Sequence, residues 1–138
     1  MSRFMAIDYG DKKIGVALTD PLKVFAYPFT TIHHQSKSQV IKELIDVVAS
    51  QQVERIILGL PLSIDGKDTA KTQDVRAFYQ LLRAQIKLPI EWWDERYSTS
   101  DANDLLKEKK INWKDSKKII DQIAAAVILK NYLGSKST

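Results

Sequence analysis

The chain contains no cysteine and only two histidines. Without thiols it can form neither a disulfide framework nor a thiolate metal site, and it has no cysteine nucleophile or redox centre. Such a chain suits a reducing compartment, and a cytoplasmic location is expected. His33 and His34 stand side by side in a stretch that reads as loop, and both read as surface residues. Long apolar runs are also missing: nothing approaches the length of a membrane span, and the opening "MSRFMAIDYG" lacks the pattern of a signal peptide. No membrane partner is expected. Internal repeats, Gly/Pro-rich linkers and low-complexity segments are absent too.

What remains is an ordinary soluble composition, 44% hydrophobic and 28% charged over 138 residues, long enough to bury one real core. Residues 1–133 read as a single domain and 134–138, "GSKST", as a short tail. The formal charge of +4 is compatible with a polyanionic partner.

Apolar patterning supplies the element order. "RFMAIDY" and "KIGVALTD", separated by "GDK", read as an antiparallel hairpin. "VFAYPFTTI" reads as a third strand, with Pro28 marking an edge or a bulge. "SKSQVIKELIDVVASQQV" puts Val40, Ile41, Leu44, Val47 and Val48 on one helical face, with Ser36 or Ser38 as cap. "ERIILGLP" is almost wholly apolar, as buried parallel strands are. A polar loop, "LSIDGKDT", leads to a helix over about residues 69–86, with Val75, Phe78, Leu81 and Leu82 as its apolar positions. "LPIEWWDER" reads as a strand, "STSDANDLLKEK" as a helix and "DSKKIIDQIAAAVILKNYL" as a long last helix. The resulting βββαβαβαα order predicts an α/β fold, a mixed five-stranded sheet flanked by helices.

Three carboxylates occupy unusual positions. Asp8 interrupts the first strand on the face of Phe4 and Ala6, where it is either a turn-flanking surface residue or a reactive one. Asp121 lies in a helical segment apolar almost all round, where a carboxylate must be paired, hydrogen-bonded or metal-bound; an ion pair with Lys117 or Lys118 is the plainer alternative. Asp94, Glu95 and Arg96 end an aromatic strand, the place where open α/β sheets put ligand chemistry, or where a following helix is capped. Together these acids suit divalent cations such as Mg²⁺ or Mn²⁺, which take carboxylate oxygens, retain water and share positions with substrate phosphate. A pair of such ions can activate water and stabilise the leaving oxygen of a phosphodiester.

Four motifs in order, "AIDYGDKKIGVALTD", "IILGLPLSIDGK" with "RAFYQLL", "DERYSTSDA" and "IIDQIAAAVILKNYL", make the chain resemble the YqgF family of Holliday junction resolvase-like proteins and pre-16S rRNA nucleases, nearly end to end. The resemblance implies a small RNase H-like domain that is a hydrolase of nucleic acid, using Mg²⁺ or Mn²⁺ (two ions). It further implies Asp8, Glu95 and Asp121 as catalytic and metal-binding acids. Asp94 stays the alternative to Glu95, because adjacent strand residues face opposite ways. Asp11 stands where the family often has a small hydroxyl residue. Gly10 is expected to permit the hairpin turn and Gly66 a close backbone approach. Lys12 and Lys13 are placed to reach phosphates, and Arg96 to hold a phosphate or orient Glu95.

Two rivals are weaker. "DYGDKKIGVA" also resembles the phosphate-binding hairpin of actin-like ATPases, but those enclose nucleotide between two lobes and this chain has length for one. "GLPLSIDGKD" has too many residues between its glycines, and an Asp68 in place of Ser or Thr, for a Walker A loop. A non-catalytic module would have lost the acids, and all three positions are filled. RNA is the favoured partner and branched DNA the alternative. A resolvase needs a stable dimer, whereas no surplus apolar helix face demands a partner here, so a monomer or weak homodimer is expected.

The segment "KEKKINWKDSKK" surrounds Trp113 with lysines, including Lys109, Lys110 and Lys114, a combination that can track a nucleic-acid backbone and stack a base. Replacing these three lysines by Gln is expected to weaken nucleic-acid binding for all sequences alike and to flatten its salt dependence, as measured by a salt titration of affinity. Trp113→Ala is expected to weaken single-strand binding more than duplex binding.

Overall fold

The computed structural model describes residues 2–95 and 113–136. Its elements follow the expected order: β1 (Arg3–Tyr9), β2 (Lys13–Thr19), β3 (Ala26–His33), α1 (Lys37–Ser50), β4 (Val53–Leu60), α2 (Ala70–Gln85), β5 (Ile90–Asp94) and α3 (Trp113–Lys136). The helix expected over "STSDANDLLKEK" lies outside the described residues. The last helix continues through Gly134 to Lys136, past the point where the tail was expected to begin.

The five strands form one sheet in the order β3-β2-β1-β4-β5. β1 pairs antiparallel with β2, and β2 with β3, whereas β1–β4 and β4–β5 are parallel. The parallel pairs need crossovers, which α1 and α2 provide. Pro28 is both at an edge and beside a bulge: β3 is an outer strand, and its register slips between the Val16–Thr30 and Ala17–Pro28 pairs. The missing N–H of proline is tolerated there.

Alternation divides the strands between two layers. Met5, Ile7 and Tyr9 of β1, with Ile14, Val16 and Leu18 of β2, face α1 and α2 and pack with Leu44, Phe78 and Leu82. Each such side chain, fully buried, contributes about 1.5–3 kcal/mol. The helices are well started for this task. Ser36 caps α1 in a reciprocal box with Gln39, and Thr69 caps α2 likewise with Thr72. Leu81, expected on the apolar face of α2, is exposed.

The opposite layer holds α3 and mixes alanines with larger side chains such as Ile57, Leu129 and Tyr132. Ala6, Ala17 and Ala26 of the sheet meet Ala125, Ala126, Ile123 and Ile128 of the helix. Two strand glycines bring the surfaces closer still. A Cβ on Gly15 would lie 1.8 Å from the Asp121 carbonyl oxygen, and one on Gly59 would lie 2.7 Å from Ile128 Cδ1. Gln122 Nε2, one residue on, donates to Thr31 Oγ1 at 3.0 Å and fixes the helix across β3.

This seating makes a sharp contrast between glycines. Gly15→Ala drives a methyl into helix backbone, which no rotamer change relieves, and is expected to destabilise by roughly 3 kcal/mol. Gly134 has nothing within 4 Å of the added carbon, so Gly134→Ala is expected to be neutral or stabilising by up to about 1 kcal/mol, the helix-propensity gain. Urea denaturation of both variants checks the pair.

Candidate active site

Asp8 is the last residue but one of β1, on the face that carries Ala6 and hence on the α3 side. It pairs in register with Gly15, the residue on which the α3 backbone rests at Asp121. The glycine that admits the helix therefore also delivers its carboxylate to the neighbourhood of Asp8. Asp121 is close enough for its charge to act on Asp8.

The alternation of β5 places Asp94 and Glu95 on opposite sides of the sheet. Trp92 packs with the α1/α2 layer and Trp93 with the α3 layer, so Asp94 falls on the first side and Glu95 on the second. Glu95 follows the strand directly, lies against Gly59 (3.1 Å from the Cβ that glycine lacks), and hydrogen-bonds Asp8 through its side chain. Asp8 and Glu95 thus meet at one end of the sheet, at the carboxyl ends of the parallel strands β1, β4 and β5, with Asp121 near enough for its charge to act on Asp8.

Two carboxyls hydrogen-bonded to each other cannot both ionise cheaply. Burial pushes Asp8 up, with the negative charge of Asp121 adding to it, while the hydrogen bond from Glu95 and the charge of Lys71 oppose it. Burial first, then the charge of Asp8, push Glu95 up to about 8. Burial thus favours the protonated form of both groups, and Lys71 opposes it at both.

The expected basic residues divide into two sets. Lys12 and Lys13 are exposed on the β1–β2 hairpin, at the same end of the sheet as the acids. Arg96, Lys109 and Lys110 lie outside the described residues, and Trp113 and Lys114 are described only as backbone at the start of α3. Among the described residues no three His, Cys, Asp or Glu side chains form a complete metal-binding group.

Three features escaped the sequence reading. His34 is not simply a surface residue. Its Nδ1 lies 2.9 Å from the Gly10 carbonyl oxygen, and since a carbonyl only accepts, Nδ1–H donates. Its Nε2 lies 3.3 Å from the Tyr9 hydroxyl, and its backbone N–H donates to the Lys12 carbonyl. His34 therefore clasps the lysine-bearing hairpin. Gly10 and Gly66 exchange their expected roles: a Cβ on Gly10 would strike the Lys13 carbonyl at 2.5 Å, whereas Gly66 has φ 83° and supplies the left-handed turn. Lys71, the cation acting on both Asp8 and Glu95, was not singled out. Its signal was available: it stands four residues before Val75 on an otherwise apolar helical stripe.

Comparison with known proteins agrees with the resemblance read from the motifs. The family model RuvX, described as a Holliday junction resolvase, matches residues 2–135. A Maridesulfovibrio salexigens protein named "Putative pre-16S rRNA nuclease" is 37% identical over 131 residues, covering 95% of this chain and 97% of that one. A Clostridium acetobutylicum protein of the same name is 38% identical over 133 residues, covering 96% and 98%. Among solved structures, Thermus thermophilus RuvC in complex with a Holliday junction substrate superposes with a TM-score of 0.61 at 10% identity, covering 99% of this chain and 96% of that one. The yeast mitochondrial Holliday junction resolvase Ydc2 gives 0.61 at 12%, covering 99% and 79%. At such identities the likeness establishes the fold, an RNase H-like α/β sheet.

The carboxyl pair has a consequence for metal-free protein. Because folding raises the affinity of Glu95 for its proton, the stability this group contributes is fully present below the ordinary carboxylate range and is lost as pH rises through about 8. Asp8→Asn removes the like charge, so its melting temperature is expected to gain on wild type progressively between pH 5 and 8.5, by a few degrees at the upper end. Thermal denaturation of both proteins in EDTA across that range tests this.

Proposed function

The chain belongs to the RuvX family, and on that premise we propose that it is a metal-dependent nuclease that hydrolyses phosphodiesters of structured nucleic acid, with the 5′ end of precursor 16S rRNA as its substrate. The observation that carries this reading is the hydrogen-bonded Asp8–Glu95 pair, with Asp121 acting on it from α3.

The donor set fits Mg²⁺ or Mn²⁺. These are hard cations that take carboxylate oxygen, and Mg²⁺ is commonly held by only one or two carboxylates, with water and substrate phosphate completing its shell. Asp8 and Glu95 meet that requirement, and Asp121 adds negative charge beside Asp8. The like charges that keep the pair protonated are also those that a divalent cation would neutralise. One or two bound ions would supply a polarised phosphoryl oxygen and a water of lowered pKa.

The protein's own residues do the rest. Asp8 and Glu95 would hold the cation as carboxylates, and their half-buried setting strengthens every electrostatic contact made there. Gly59, having no side chain, leaves room for the Glu95 carboxylate. Lys12 and Lys13, held on a hairpin clasped by His34, attract the phosphate backbone, which positions the strand without reading its sequence. Arg96, Lys109, Lys110, Trp113 and Lys114 extend that contact in this proposal.

RNA is favoured because the curated relatives carry the name of an rRNA nuclease and because cutting one strand needs only one site. The description of the family favours a second reading, Holliday junction resolution in DNA recombination, which would require two sites related by a two-fold axis. Asp8→Asn, Glu95→Gln and Asp121→Asn are each expected to lower Mg²⁺-dependent cleavage of precursor 16S rRNA by about two to four orders of magnitude with the fold intact by circular dichroism. Full activity of Asp8→Asn would refute the metal-nuclease reading. A tight dimer in sedimentation, with paired symmetric nicks in a four-way junction and no cleavage of the rRNA precursor, would transfer the function to the second reading.

A further inference from the structure

Lys71 stands four, seven and eleven residues before Val75, Phe78 and Leu82, the buried stripe by which α2 packs on the sheet. With 3.6 residues per turn these positions share one helical face. A lysine on the apolar stripe would be costly if the core continued to that level, yet Lys71 is exposed. The stripe has run out of sheet at the first turn of α2.

The acid pair stands at that same end of the sheet, on its α3 face. The first turn is tied to the end of β4, since the buried Thr72 hydroxyl donates to the Pro61 carbonyl oxygen and the Thr69–Thr72 box closes the cap. Pro61 directly follows β4, whose Gly59 touches Glu95. Side chains tilt toward the N-terminus of their helix, so Lys71 extends past the sheet end rather than back over the core. Its charge accordingly reaches both Asp8 and Glu95.

Lys71 is also uncommitted in a way its neighbours are not. Arg76 is held by Asp68 at 2.7 Å, Lys37 by Asp74 at 2.9 Å and Arg55 by Glu91 at 2.7 Å. Among the described residues Lys71 makes no ion pair within 4.0 Å. An exposed ammonium on a flexible stem, beside two carboxyls it influences but does not contact, leaves room for an anion at the rim. A compact point charge of this kind suits a phosphate oxygen.

We propose that Lys71 is a substrate-contacting residue whose ammonium takes a phosphate oxygen of the nucleic-acid strand as it approaches the Asp8–Glu95 pair. This rests on the nuclease reading and adds to it a phosphate contact on α2, separate from the lysine hairpin.

The test uses the full chain in EDTA, so that binding is read without cleavage. The probes are a short fluorescent single-stranded RNA and a four-way DNA junction, each titrated over a salt series. Lys71→Gln is expected to weaken RNA binding roughly five- to tenfold at low salt and to reduce the slope of log affinity against log salt by about 0.7, one phosphate contact on a single strand. Lys71→Arg is expected to recover most of both. Unchanged affinity and slope in Lys71→Gln, with wild type binding normally, would overturn the assignment of Lys71 alone. A changed Mn²⁺ affinity, titrated separately in buffer without EDTA, with an unchanged salt slope would also overturn it, because Lys71 would then act only as a counter-charge to the acids. Wild type binding neither probe would remove the nuclease reading and this proposal with it.

Discussion

The seating of α3 on the sheet is the constraint on which the acid cluster depends. Helices usually stand off a sheet by the thickness of a side-chain layer. Here alanines line both sides of the contact, and Gly15 carries the Asp121 backbone with no side chain between. The register of the hairpin then does the positioning, because Gly15 is the β2 partner of Asp8. A helix held further out would carry Asp121 away from Asp8. The bulky α1/α2 layer supplies most of the apolar burial, and the thin α3 layer supplies the geometry.

The same division explains the electrostatics. Asp8 and Glu95 reach the site from strands that do not touch each other, since β4 lies between β1 and β5. Gly59 of that intervening strand opens the gap in which the carboxyls meet. Burial raises the proton affinity of both, and the charge of Lys71 favours ionisation of both.

Much of this was legible in the sequence because period-two and period-3.6 patterns report which side of a strand or helix is buried. They gave the strand and helix order, the edge character of β3 through Pro28, the Ser36 cap and the unusual settings of Asp8 and Asp121. They stop working at element ends. Asp94 and Glu95 straddle the end of β5, and only the observed packing of Trp92 and Trp93 on opposite layers separates them. Glycine is ambiguous for another reason: its sequence signal is the same whether it yields φ or space, so Gly10 and Gly66 were assigned each other's roles. His34 was missed because its partners are a backbone carbonyl and a tyrosine hydroxyl from a distant strand. Lys71 was missed because a lysine at a helix start reads as solvated surface unless it is aligned with the stripe that follows.

The three acids come from β1, from the residue after β5 and from α3, so the cluster spans nearly the whole order of the chain. Asp8 is made before Glu95, and Glu95 before Asp121, so the face at Gly15 and Gly59 is covered only once α3 is present. A chain interrupted between β5 and α3 has all five strands of the sheet but lacks Asp121. Chain order thus withholds the complete set of acids until α3 has been made.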